Sequence, residues 1–80
     1  MNIKKIAKLS IKLAAVKLTK KDMPGESARL QANSSLVLPD IVDLLEKYQD
    51  KIINAPLRQI LKELSDIVQC HWLKIELKSR

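Results

Sequence analysis

The sequence predicts a small, mostly α-helical domain of about three helices, closed by a C-terminal helical hairpin. Three observations lead there. The chain has 80 residues, enough for one domain and one modest core. Its last third repeats apolar residues at three-four spacing, and its first twenty residues divide into a lysine side and an apolar side on a helical wheel. The competing reading is an α+β fold, with residues 9–20, 28–32 and 73–78 forming a small antiparallel sheet. Either way residues 1–80 make a single domain of three parts: a lysine-rich segment (1–21), a connecting loop (22–39) and a helical hairpin (40–78).

At about 100° per residue, Lys4, Lys5, Lys8, Lys12 and Thr19 share one narrow sector of a helix spanning Ile3 to Lys20. Ile3, Ile6, Leu9, Leu13, Ala14 and Leu18 occupy the rest, with Ser10 and Lys17 as polar exceptions inside the apolar side. The strand reading rests on the alternation from Leu9 to Leu13 and from Val16 to Thr19.

Residues 22–39 hold Pro24, Gly25, Ser27, Asn33, Ser34, Ser35 and Pro39, including the only glycine. Pro-Gly favours a turn, because proline presets the first dihedral and glycine accepts positive φ at the next position. A connection is expected here, with one short element at most over Ala28 to Ala32.

Asp40 follows Pro39 as a candidate N-cap, and Asp43 would complement the positive helix end one turn later. Ile41, Leu44, Leu45, Tyr48 and Ile52 then share a face. Asn54 is a plausible stop, Pro56 restarts the chain, and so short a joint folds two helices back on each other. The final stripe runs through Leu57, Ile60, Leu61, Leu64, Ile67, Val68, His71, Trp72 and Ile75. Leu73 and Leu77 fall off that stripe and offer a partner or dimer contact.

The charge is the most uneven property of the chain. Of the 15 basic residues, Lys4, Lys5, Lys8, Lys12, Lys17, Lys20 and Lys21 fall within residues 1–21, where no acid occurs; the net charge of +6 therefore belongs to that segment. Such asymmetry points to an anionic partner. An acidic protein surface is the leading expectation and makes the chain a protein-binding regulator or inhibitor. Nucleic acid is the alternative, through phosphate contacts of low sequence specificity, since the segment has neither arginine nor an aromatic ring. A membrane surface comes third, because the helix lacks Trp and Phe anchors.

Catalytic signals are absent. One glycine cannot build a phosphate-cradling loop, and no GxxxxGK[ST], GxGxxG or HExxH motif occurs. Cys70 and His71 are neighbours, so their side chains diverge by about 100° on a helix; they read as a small buried thiol and an imidazole at the edge of the stripe. Asp40, Asp43, Glu46 and Asp50 read as a solvated face beside Lys47 and Lys51. No enzyme, cofactor or metal is expected. A helix-turn-helix reader would have only Arg58 and Gln59 to offer bases. A lone cysteine forms no intramolecular disulfide. Lysines interrupt every candidate signal peptide, and the longest apolar run of the segment, Leu13 to Val16, is far below the ~18 residues a bilayer requires. A cytoplasmic location is expected.

Overall fold

The computed structural model describes residues 2–47, 49–50 and 54–78, with the side chain of Leu77 outside the description. Among the described residues there are four helices and no strand: α1 (Ile3–Lys20), α2 (Pro24–Ala32), α3 (Ser34–Lys47) and α4 (Leu57–Lys78). The sheet alternative is therefore overturned, and the helix count rises from about three to four. In α1 the short alternations yield to a longer rhythm: Ile6, Ala7, Ser10, Ile11, Ala14, Ala15 and Leu18 are all buried, which is three-four spacing over nearly the whole helix.

The largest correction falls on residues 22–39, which are helical almost throughout. The loop signals were caps. Helix α1 ends in a Schellman turn, in which the Met23 N–H donates to the Leu18 carbonyl (2.9 Å) and the Asp22 N–H to that of Thr19 (3.1 Å). The left-handed residue this turn requires is Asp22 (φ 62°), whereas Gly25 has no positive φ. Pro24 then sits in the first turn of α2, where its fixed φ suits a helix and its missing N–H costs nothing. Asn33 both closes α2 and opens α3: its N–H donates to Arg29 O, and its own carbonyl accepts from Leu36 and Val37.

Helix α3 runs through Pro39, so Asp40 is not an N-cap and Asp43 is not in a first turn. Proline disfavours a helical residue before it. Here buried Val37 and Ile41 on either side hold the segment against the core, while Pro39 faces solvent.

The described helices are organised around α1. Helix α1 packs against α2, α3 and α4, whereas those three touch one another only lightly. Small residues permit this. Ala7, Ser10, Ala14 and Ala15 are buried along α1, where larger side chains would hold its neighbours away. Against them lies Ser27 of α2, whose hydroxyl donates to Ala15 O (2.7 Å) and accepts from Thr19 Oγ1 (3.0 Å) and Gln31 Nε2 (3.2 Å). Replacing Ser27 by leucine should overfill this contact and cost about 1–3 kcal/mol; chemical denaturation checks it, and an unchanged midpoint would refute tight α1–α2 packing.

The core comprises Ile6, Ala7, Ile11, Ala14, Ala15 and Leu18 of α1 with Leu30, Val37, Ile41, Leu45, Ile60, Leu64, Val68 and Trp72. The α4 stripe is thus narrower than its sequence pattern: Ile60, Leu64, Val68 and Trp72 are buried, but Leu57, Ile67 and Ile75 are exposed. Leu73, read from the sequence as a partner or dimer contact, is partly buried and packs on the core instead. Leu77, its companion in that reading, has its side chain outside the described residues. Arg29 ties α2 to α4 by bonding Glu26 (3.0 Å) and Glu76 (3.3 Å).

Candidate functional site

The seven lysines divide into three groups once the fold is known. Lys17 is a fastener. Its Nζ reaches Asp66 Oδ1 (2.7 Å) and the Lys62 carbonyl (3.2 Å) and so joins α1 to α4. The hydrogen bond from Lys17 holds the Asp66 carboxyl below the usual carboxylate range, with the charges of Lys17, Lys21 and Lys62 adding to it. Because the folded value is depressed, this contribution to stability is present above the unfolded carboxyl value and is lost as pH falls through the folded one. Asp66→Asn should therefore flatten the acid limb of the stability profile, and an acid limb identical to that of the parent protein would disprove the assignment.

Lys20 and Lys21 lie at the C-terminal end of α1, where the helix dipole favours positive charge. Their placement suits that helix end, and the charge of Lys21 also acts on Asp66.

Lys4, Lys5, Lys8 and Lys12 are different. All four are exposed, and none has an ion pair among the described residues. Lys4 and Lys5 occupy the first turn of α1, which contains no acid, so they stand at the positive end of the dipole. The one favourable local contact there is the cap, where Asn2 Oδ1 accepts from the Lys5 N–H (3.1 Å). Lys4, Lys8 and Lys12 also line a cleft of about 510 Å³ with Gln31, Ser34 and Ser35, where α2 gives way to α3.

Beside the lysines runs an apolar strip that the sequence reading assigned partly to the core. Leu9, Leu13 and Val16 are spaced i, i+4, i+7 and remain 36%, 38% and 50% exposed. The burial of Ala7, Ser10, Ala14, Ala15 and Leu18 rotates α1 so that Leu9 and Leu13 point outward at the edge of the lysine row. The outer face of α1 is therefore mixed, with cations on one side and aliphatic groups on the other. Singly exposed aliphatic residues are ordinary; here three of them are exposed together on one helix face.

The remaining candidates are placed plainly. Cys70 is exposed, not buried as its sequence context suggested. His71 is half-buried, with Nε2 3.3 Å from Asp40 Oδ2, so Asp40 of α3 meets α4. Gln59 donates to Glu63 (3.4 Å) along its own helix. No helix among the described residues is long and apolar enough to cross a membrane. Comparison with family models, curated proteins and solved structures finds no match to this chain.

Proposed function

We propose that the protein is a non-enzymatic binding module that docks an acidic protein partner on the outer face of α1 and modulates it by occupying its surface. The supporting observation is the mixture on that face: unpaired Lys4, Lys5, Lys8 and Lys12 lie directly beside exposed Leu9, Leu13 and Val16. Lysines alone would suit any polyanion. Adjacent aliphatic groups gain free energy only against a surface that also buries apolar area, at about 25 cal/mol per Å², and protein interfaces do so. Charge then supplies fast encounter and selectivity.

The cleft formed by Lys4, Lys8, Lys12, Ser34 and Ser35 favours a second reading, in which a phosphate group of a nucleic acid sits there. Salt separates the two. Phosphate binding loses affinity linearly and steeply with log salt, while a mixed protein interface keeps its apolar part. The test is co-purification of a defined partner from native cells by the parent protein and its loss with Lys4, Lys5, Lys8 and Lys12 changed to glutamate. Retention of that partner by the charge-reversed protein would refute the proposal.

A further inference from the structure

A second apolar feature opens next to the strip on α1. Leu13 of α1 faces Leu57 and Leu61 of α4 across a groove of about 430 Å³, whose edges carry Lys17, Arg58 and Lys62. Leu57 is 51% exposed although it begins a core helix. No carboxylate lines the groove. Lys17 is engaged by Asp66, but Arg58 and Lys62 are exposed and have no ion pair among the described residues.

We infer that this groove receives an acidic amphipathic α-helix of the partner, with aliphatic side chains between Leu13, Leu57 and Leu61 and carboxylates meeting Arg58 and Lys62. The inference rests on the acidic-partner reading above and specifies where and how that partner binds. Charge complementarity selects the acid. The groove's lining selects the helix: it lies between two helices and offers no strand edge, and its one hydroxyl, Ser65, already donates to the Lys62 carbonyl (2.8 Å). A segment entering it must satisfy its own peptide groups, and an α-helix does so. Apolar anchors at i and i+3 or i+4 on one face then match a groove between two helices.

The test uses the full chain and a labelled synthetic peptide of about 18 residues, long enough to form a helix in a complex. The peptide carries leucine at i, i+3, i+4 and i+7 with glutamates on both flanks, and a twin has glutamine in place of every glutamate. Fluorescence anisotropy should show the acidic peptide binding at least about tenfold more tightly than its twin. Leu57→Ser should weaken the acidic peptide about tenfold or more at every salt concentration, the scale of a buried anchor. The double variant Arg58→Glu, Lys62→Glu should weaken it by a similar factor at low salt and by less at high salt. These positions are exposed, so circular dichroism should show the fold unchanged.

If the peptide is insensitive to these changes but lost on reversing Lys4, Lys5, Lys8 and Lys12, the groove assignment falls and the acidic-partner reading stands. If neither peptide binds, the groove assignment falls, and the acidic-partner reading is decided by the co-purification test. If the acidic peptide and its twin bind equally, charge selection is wrong and the inference fails. Binding of phosphatidylglycerol vesicles that Leu57→Ser abolishes, with no peptide binding, would assign the groove to lipid and overturn the proposal.

Discussion

Replacing Trp72 by alanine is expected to remove about 3–5 kcal/mol of folding stability. An 80-residue domain has only roughly 4–12 kcal/mol in total, so this one change should leave the protein marginally folded or unfolded at 25 °C. Trp72 is 3% exposed and is the largest side chain in the core. Phenylalanine should behave quite differently at the same position. The indole Nε1 is buried and has no hydrogen-bond partner among the described residues, and an orphaned donor costs roughly 1–3 kcal/mol. Trp72→Phe removes that donor while leaving a small void, two effects of opposite sign, and its stability should stay within about 1–2 kcal/mol of the parent. Urea unfolding followed by far-ultraviolet circular dichroism measures both variants without relying on the indole. Equal losses in the two would mean that the N–H makes a bond that phenylalanine cannot replace.

Reversing Lys4, Lys5, Lys8 and Lys12 to glutamate is expected to move two properties in opposite directions. Each substitution changes the charge by two, so the protein passes from +6 to −2. Like charges brought together across an interface cost several kcal/mol, so affinity for an acidic partner should fall at least about 100-fold at low salt. Stability should rise. Acids in the first turn interact favourably with the helix dipole by about 0.3–1 kcal/mol each, where Lys4 and Lys5 are now opposed. Glutamate at residue 5 would also complete a capping box with Asn2, which already accepts the backbone N–H there. One kcal/mol corresponds to roughly 4–8 °C in a domain of this size, within reach of calorimetry. Weaker binding with a higher melting temperature would identify these lysines as retained for contact at the expense of the helix. A lower melting temperature would remove that argument, because lost binding could then follow from lost structure.

The helical character of the chain was readable because apolar periodicity survives over long stretches, above all from Leu57 to Trp72. The turns were harder, for a local reason. Asn33, Ser34, Ser35 and Pro24 favour caps and loops alike, since their side chains and fixed dihedrals end one helix and begin another with equal ease. With Asn33 serving two helices at once, there was no intervening loop for composition to mark. Pro39 misled in the opposite way: proline is a reliable helix boundary only when packing does not override it, and buried Val37 and Ile41 do so here.

The basic face was legible in outline, since Lys4, Lys5, Lys8 and Lys12 share a sector under helical spacing alone. The exposed strip of Leu9, Leu13 and Val16 was not. A wheel ranks residues by hydrophobicity and puts leucine inside, whereas the fold puts alanine and serine inside because three neighbours must approach one helix closely. Small residues recurring at three-four spacing, Ala7, Ser10 and Ala14, were the available signal. Pairing of Lys17 with Asp66 joins residues far apart in sequence, and no local pattern encodes it.

Because α2, α3 and α4 are each attached mainly to α1 and only lightly to one another, any opening that releases α1 uncovers the core faces of all four helices at once. The most protected amides in all four should then exchange with solvent only when the whole molecule unfolds. A ligand held on the outer face of α1 would slow that exchange everywhere by the factor 1 + [L]/Kd, including at Leu30 and Val37, which form no part of the surface assigned to it. Hydrogen exchange would thus record an even rise in protection across the molecule, with no footprint outlining the bound face, and the contact itself would have to be mapped by substitution or cross-linking.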